Sequence, residues 1–241
     1  MSLEGRHFKW VRPFGPYIVQ TTISDELHKL LLKGSKKVRN NKKLKKKNDY
    51  RNRLAGNLSE EYSFADAFTI KERQIINTEL RWLASEFTKA GEKLQPGFGK
   101  NRIGSRARQP EDILIHEPAW VNFMKAGEWN PAHNHTGDIS CVMYLKVPKE
   151  IEQENKTATH TSESNTPTAG RIEFKYGDNI GYCVNGVIRR PQEKDIYLFP
   201  AGLCHLVYPF KSKVERISIS VNFSDKISHY QMLLRKPPKS E

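Results

Sequence analysis

The chain has little cysteine and no long apolar segment. Its 241 residues include three cysteines, Cys141, Cys183 and Cys204, and none of them has C-x-x-C spacing. Such a set argues against a disulfide framework and favours buried thiols. No run reaches the ~18 apolar residues of a membrane span, and the first residues lack the basic-then-apolar layout of a secretion signal. We therefore expect a cytoplasmic protein with no membrane partner.

Acidic residues are few relative to basic ones, with 27 against 40 and a net charge of +13. Ten of the basic residues lie within residues 36–53, where Asp49 is the only acid. The excess charge is thus a local patch, and its lack of apolar periodicity predicts a solvated loop or a frayed helical extension. A nucleic acid or another anionic partner could bind through residues 36–53.

The first half of the sequence predicts one short strand and two helices. Aromatic and β-branched residues at 17–21 indicate a strand. Ser24 is a candidate N-cap for a helix that we expect to end at Gly34. Apolar residues at helical spacing predict the longest helix over residues 70–94.

The second half predicts a succession of short strands. Runs of β-forming residues separated by turn residues lie at 113–115, 119–125, 139–147, 171–176, 196–199, 204–208 and 216–223. Seven such strands favour a sandwich or a barrel. The polar composition of residues 149–169 predicts a long loop near the site.

The first chemical motif is a pair of histidines that precedes an apolar strand. His133 and His135 are two residues apart, so an extended backbone points both side chains to the same side, where they could reach one cation. His205, at the start of a predicted strand, is the candidate third ligand. The alternative interpretation is that the two neighbouring histidines lie in a surface turn.

The second motif combines a cation and a hydroxyl on one strand. Arg216 and Ser218 share a face and follow His205 by eleven and thirteen positions. A guanidinium beside a hydroxyl suits a carboxylate ligand. A hairpin over residues 209–213 would bring these side chains close to His205.

Taken in order, these residues resemble a known family. The motifs are W-x-N at Trp120 and Asn122, G-x5-H-x-H from Gly127, S-x-V-x-Y-L-x-V-P from Ser140, F-P-x4-H from Phe199 and H-x10-R-x-S from His205. Over about residues 113–224 the chain resembles the Fe(II)- and 2-oxoglutarate-dependent oxygenases, specifically phage and bacterial proteins near the prolyl-hydroxylase branch.

The resemblance implies a mainly β fold with N-terminal helices (α+β), built on a double-stranded β-helix, which is a jelly-roll barrel. It divides a single domain into an N-terminal helical and basic support region (1–110), the β-helix core (111–224) and a C-terminal tail (225–241). It implies Fe(II) as cofactor and 2-oxoglutarate and O2 as co-substrates. Arg216 would then bind the distal carboxylate of 2-oxoglutarate, with Ser218, Tyr144 and Asn122 as further cofactor-binding residues.

The sequence departs from the family pattern H-x-D…H, because His135 stands at the position of the aspartate. Two ligand sets remain open. In one, His133, His135 and His205 bind the metal. In the other, Asp138 folds back across Gly137 to join His135 and His205, and His133 only supports them.

We therefore predict a 2-oxoglutarate-dependent dioxygenase that hydroxylates a protein or peptide side chain such as proline, located in the host cytoplasm if it is phage-encoded. No catalytic residue is expected beyond the metal centre. Two alternatives belong to other classes. One is a jelly-roll module that binds metal without turnover, and the other is a basic structural protein that binds nucleic acid.

Overall fold

The computed structural model describes most of the chain. The described residues are 15–53, 55–64, 66–94, 107–157, 167–178 and 180–226. Most of the predicted tail and residues 158–166 of the predicted polar loop lie outside the described residues. Within them, no helix is both long and apolar enough to cross a membrane.

Ten strands form two antiparallel sheets. They are β1 (Val19–Thr22), β2 (Glu61–Ser63), β3 (Ile113–Met124), β4 (Asn130–His133), β5 (Ile139–Lys146), β6 (Ile172–Lys175), β7 (Gly186–Arg189), β8 (Asp195–Pro200), β9 (Cys204–Val207) and β10 (Arg216–Asp225). The larger sheet has the order β1-β8-β5-β10-β3-β2, and the smaller has the order β4-β9-β6-β7. The described strands form two separate sheets rather than one closed barrel.

The larger sheet is buried on both faces, and side-chain alternation makes the faces different. One face is apolar and packs against helices, as shown by Val221 of β10, Met143 of β5 and Leu83 of a long helix in one buried cluster. The other face carries Asn122 of β3 and Ser218 of β10, both at most 4% exposed. This polar face lies opposite the smaller sheet and provides the site.

Four α-helices of the described ranges accompany the sheets. They are α1 (Asp25–Asn40), α2 (Lys42–Lys47), α3 (Ile70–Leu94) and α4 (Lys149–Thr157). Helix α3 spans the predicted range, and Ser24 caps α1 by accepting a hydrogen bond from the Leu27 amide. The predicted mainly β fold with N-terminal helices is confirmed.

The predicted end of α1 at Gly34 is wrong, because the helix continues to Asn40. Gly34 is buried, and a Cβ at this position would stand 2.3 Å from a ring carbon of Phe68. The glycine therefore allows close packing of α1 against Phe68, and it does not terminate the helix. Burial of this face stabilises the helix by more than the ~1 kcal/mol that glycine costs relative to alanine.

The predicted loop at 149–169 is also wrong in its first half, where α4 forms. Buried Glu154 links this helix to the segment before β10, since its carboxylate accepts hydrogen bonds from the Lys211 and Ser212 amides at 2.8–3.0 Å. Ile151 packs beside Gly170. These tertiary contacts stabilise a short helix of polar composition.

The basic stretch 36–53 is helical over most of its length, so of the two predicted alternatives the structure agrees with the helical extension and not with the solvated loop. Four of its cations form ion pairs with carboxylates of this chain, namely Arg39 with Glu60 and Glu215, Lys45 with Glu60, Lys47 with Asp66, and Arg51 with Asp49. Part of the local charge is thus neutralised within the fold.

Most strand predictions agree with the structure, and the exceptions are informative. Residues 113–115 and 119–125 were predicted as two strands but form the single strand β3. Strands β2, β4 and β7 had no counterpart in the prediction. Each has only three or four residues, too few to show a clear alternation.

Candidate active site

Three histidines meet at one end of the smaller sheet. His133 ends β4 and lies directly opposite His205 of β9 in the strand register, and His135 follows in the next loop. Each offers a ring nitrogen within 4.8 Å of the others. The ring centroids of His133 and His205 are 4.3 Å apart, and that of His135 lies 5.0 Å from both. This cluster could hold a metal ion.

Hydrogen bonds fix which ring nitrogen faces the cluster. The Nδ1–H groups of His133 and His205 donate to the carbonyl oxygens of Pro131 and Leu203, at 2.7 and 2.9 Å. A carbonyl only accepts, so Nδ1 carries the proton and Nε2 keeps a free lone pair. Both rings are therefore oriented as metal ligands are.

The surroundings keep all three imidazoles neutral. Burial lowers the pKa of His133, lowers that of His135 to about 4 and lowers that of His205 to about 3. The neighbouring histidines lower the last two further, since like charges repel. Neutral rings at physiological pH are the protonation state that metal binding requires.

Asp138 lies outside this cluster. Its Oδ2 accepts a hydrogen bond from the Asp225 amide at 2.9 Å, and its backbone bonds to Phe223 and Ala201. Gly137 turns the chain at φ +100°, where a Cβ would stand 2.8 Å from the Phe223 carbonyl oxygen. The geometry thus uses Asp138 to anchor the loop to β10, and it brings His133 rather than Asp138 to the other two histidines.

Arg216 is fully buried on the polar face of β10. It donates from one terminal nitrogen to the Gly170 carbonyl at 2.8 Å, and its guanidinium lies 5.4 Å from the centre of the Tyr144 ring. Its Nε and the Tyr144 hydroxyl have no partner among the described residues. Burial lowers the pKa of Arg216 and raises that of Tyr144 to about 12. A cation and a neutral hydroxyl are therefore available to an anionic ligand.

The remaining predicted residues form a row across the sheet. The strand register places Tyr144 opposite Ser218, Ser218 opposite Asn122, and Asn122 opposite Glu61 of β2. Directly opposed side chains have Cβ atoms about 4.5–5.5 Å apart. All four side chains line the same cavity as the three histidines.

Two residues of this cavity were missed or misjudged by sequence reasoning. Glu61 lies on the short strand β2, and nothing in the three-residue pattern Glu-Tyr-Ser indicates that it pairs with β3. Trp120, to which the W-x-N motif gave no role in the site, is buried and lines the cavity with its ring centre 5.4 Å from that of His135. Its spacing of two from Asn122 was the available signal, because both belong to one face of β3.

The cavity has a volume of about 210 Å³ and is open at one side. Apolar walls come from Val142, Ile172, Phe199 and Val207. Phe199 also packs edge-on against His205, with centroids 4.8 Å apart. A concave pocket with apolar walls and a few convergent polar groups is typical of a small-molecule site.

Residues 118–222 match the model of a protein family described as "Putative 2OG-Fe(II) oxygenase". This segment, which is somewhat less than half of the chain, is similar to that oxygenase family. The matched segment includes the three histidines, Arg216 and Ser218, so the resemblance predicted from the motifs is confirmed. The predicted enzyme class, 2-oxoglutarate-dependent oxygenase, is confirmed with it, and so are Fe(II) and 2-oxoglutarate as the cofactor and co-substrate that this family uses.

Solved structures are similar to this chain at low sequence identity. AviO1 from Streptomyces viridochromogenes is 12% identical with a TM-score of 0.51, over 92% of this chain and 91% of its own. A prolyl hydroxylase from Trichoplax adhaerens, in complex with a hypoxia inducible factor oxygen degradation domain peptide fragment, is 12% identical with a TM-score of 0.49, over 92% and 88%.

A 2OG-Fe(II) oxygenase family oxidoreductase from Burkholderia pseudomallei is 14% identical with a TM-score of 0.33. The match covers 46% of this chain and only 43% of that one. No curated protein matches the chain. The likeness to AviO1 shows a shared fold, and none of these comparisons supports the predicted nucleic-acid partner.

Proposed function

We propose that the protein is an Fe(II)- and 2-oxoglutarate-dependent dioxygenase with His133, His135 and His205 as the metal ligands. The observation that carries the proposal is the presence of two complementary features in one cavity. Three neutral imidazoles lie within 4.8 Å of one another, and a fully buried arginine has an unpaired Nε. Neither feature stabilises the protein alone, but both fit a metal and an anionic co-substrate.

The histidine cluster fits Fe(II) by the chemistry of its donors. Imidazole nitrogens suit iron, and three ligands on one side leave positions for other molecules. The carbonyl oxygens of Pro131 and Leu203 hold the rings of His133 and His205 in the binding orientation. Asp138 would act by fixing the loop that carries His135.

Arg216 would bind the distal carboxylate of 2-oxoglutarate. A buried cation without an anion is costly, and a carboxylate accepting from Nε and from the Tyr144 hydroxyl would satisfy both unpaired donors. Ser218 stands opposite Tyr144 in the register and can donate to the same carboxylate. Asn122, the next residue in the row, contributes its amide beside the co-substrate.

When bound, Fe(II) supplies O2 activation, so that 2-oxoglutarate, O2 and a substrate C–H yield succinate, CO2 and a hydroxylated product. The residues of this chain orient the co-substrate and exclude bulk water from it. The proposed substrate is a side chain of a protein or peptide, with proline as the example from the branch that the motifs resemble. We also propose the cytoplasmic location that the sequence predicts. The same holds for the division of one domain into a support region (1–110), a β-helix core (111–224) and a tail (225–241).

The strand orders support a double-stranded β-helix. In the larger sheet β3, β10, β5 and β8 are neighbours in this order, and the smaller sheet has β4, β9, β6 and β7. From β3 to β10, successive strands alternate between the two sheets, except that β6 and β7 form a hairpin within the smaller sheet. This connectivity is that of a jelly roll. The metal ligands come from the smaller sheet and the loop after β4, and the co-substrate anchor comes from the larger.

The test combines binding and turnover. Under anaerobic conditions, the Fe(II)-loaded protein should develop a visible metal-to-ligand charge-transfer band on addition of 2-oxoglutarate. Admission of air should then produce succinate. An iron-loaded protein that shows no such band would contradict the proposal.

A metal-binding module without turnover is distinguished by the second step. It would bind iron and 2-oxoglutarate but form no succinate in air. The nucleic-acid alternative predicts that neutralising Lys42 to Lys47 abolishes binding of DNA or RNA while His205→Ala leaves the metal content unchanged.

A further inference from the structure

The polar row across the larger sheet has different chemistry at its two ends. Near Arg216 and Tyr144 the unpaired buried atoms are hydrogen-bond donors. At the opposite end, the acceptors Glu61 Oε2 and Asn122 Oδ1 are buried without a partner in the described part of the chain, and Asn130 Oδ1 of β4 is a third. The co-substrate anchor accounts for the donor end and includes the Asn122 amide, but it leaves the oxygens of Glu61 and Asn130 without a role.

Glu61 is the least ambiguous of these acceptors. It is 1% exposed and lines the cavity of the three histidines. An ionised carboxylate can only accept, whereas an asparagine can turn either its oxygen or its NH2 group toward a ligand. The polarity of this end is therefore set by Glu61.

The chain around Glu61 closes over the acceptor end. A Cβ on Gly56 would stand 2.3 Å from Asn130 Oδ1 and 3.1 Å from Glu61 Oε1. The Asn57 amide donates to the Trp129 carbonyl at 2.9 Å, which ties this loop to the segment before β4. Because a side chain at position 56 would clash with these atoms, the glycine allows the loop to pack directly against Asn130 and Glu61.

The electrostatic surroundings favour an incoming cation. Burial raises the pKa of Glu61 to about 7, the carboxylates of Glu128 and Asp49 raise it further, and Arg51 opposes them. The adjacent Glu60 differs, because its carboxylate forms ion pairs with Arg39, Lys45 and Lys125. A positive group beside Glu61 would supply the missing partner and stabilise its ionised form.

We propose that Glu61 is the specificity-determining residue of the substrate site and that it binds an ammonium or guanidinium group of the substrate, with Asn122 and Asn130 as further acceptors. The substrate class is then a lysine- or arginine-like molecule, either as a residue of a peptide or as the free amino acid. This inference rests on the proposed function, because it assigns the substrate of that same site. A proline ring within a peptide has no N–H and would leave Glu61 unpaired.

The test measures binding of matched probes to the protein loaded with Mn(II) and 2-oxoglutarate. The probes are blocked tripeptides Ala-X-Ala with lysine, arginine, norleucine or proline at X, and free L-lysine and L-arginine. We expect a cationic probe to bind about ten- to a hundredfold more tightly than the norleucine peptide. The cation can form a charged hydrogen bond with Glu61, whereas the norleucine side chain has no donor. Comparison of tripeptides with free amino acids identifies the source of the cation.

Glu61→Gln should remove this preference, because it keeps the shape and removes the charge. Glu60→Gln is the matched control, since it removes a charge from the neighbouring residue and should keep the preference. Equal binding of lysine, norleucine and proline peptides to the wild type would overturn the inference, as would an unchanged preference in Glu61→Gln. If the proposed function itself is wrong, the wild type will bind neither Mn(II) nor 2-oxoglutarate before any probe is added. This result is distinguishable from failure of the substrate inference alone.

Discussion

The two faces of the larger sheet are both buried, yet they differ in chemistry. The helix-facing side carries Leu198, Val221 and Phe223, each at most 1% exposed and surrounded by apolar neighbours. The cavity-facing side carries Arg216 and Tyr144, equally buried but with unpaired polar atoms. The same strands supply both faces because successive side chains alternate. Burial therefore does not distinguish the core from the site, whereas polar atoms without partners do.

The two faces of the larger sheet also contribute differently to stability and to function. An unpaired buried polar group costs about 1–3 kcal/mol, so the cavity face lowers the stability that the helix face provides. Substitutions on the two faces should consequently affect different measurements.

The largest effect is expected from His205→Ala. Loss of one imidazole from a three-ligand set should weaken Fe(II) or Mn(II) binding by more than ~100-fold. Residues that only hydrogen-bond to a metal ligand typically cost about 10–100-fold in metal affinity. Metal content after equilibrium dialysis and the anaerobic 2-oxoglutarate absorption band report this loss. Stability of the metal-free protein should change little, since His205 lines a cavity.

Asp138→Ala is the matched control for the ligand set. It removes the acceptor of the Asp225 amide and should lower the free energy of unfolding by about 1 kcal/mol while metal binding persists. Loss of metal in Asp138→Ala together with its retention in His133→Ala would instead support the ligand set that includes Asp138.

On the helix face, Leu198→Ala should cost about 3 kcal/mol of unfolding free energy. Leu198 is completely buried in the apolar cluster, and removal of such a side chain leaves a cavity. Chemical denaturation measures the cost. Metal and 2-oxoglutarate affinities of the folded protein should stay within about twofold, and a large change in either would show that the two faces are coupled.

Arg216→Lys should weaken 2-oxoglutarate binding by about 10–100-fold. Lysine keeps the charge but loses the planar set of donors that includes Nε. Titration of the anaerobic absorption band measures the affinity. The free energy of unfolding should not fall by more than about 1 kcal/mol, because Arg216 is a buried charge without an anionic partner among the described residues.

Glu61 should make the stability of the protein depend on pH. Its folded-state pKa of about 7 lies above the ordinary value of 4.5, so the folded protein binds the proton more strongly. The associated stability is present below about pH 4.5 and is lost as pH rises through 7. Glu61→Gln should therefore gain about 2 kcal/mol over the wild type between pH 5 and pH 8. Denaturant unfolding at both pH values measures this gain, and parallel curves for the two proteins would contradict it.

Sequence reasoning identified the candidate site where the residue pattern is local. His133 and His135 are two residues apart, and Arg216 and Ser218 share one strand, so a strand period of two was sufficient to group each pair. It failed where long-range pairing decides the outcome. Glu61 joins the row only because β2 pairs with β3 across 61 positions of sequence separation at Asn122. Gly34 continues a helix because Phe68 packs on it.

The sequence by itself determined the class of protein, the strand-rich second half and the motif residues that resemble the oxygenases. Residue types and local spacing carry this information, because side-chain periodicity depends on the backbone alone. Only the tertiary structure decided that His133 opposes His205, that Asp138 bonds to Asp225, and that Glu61 completes the row from Tyr144. Strand register and loop closure set those distances, and both depend on contacts between residues far apart in the chain.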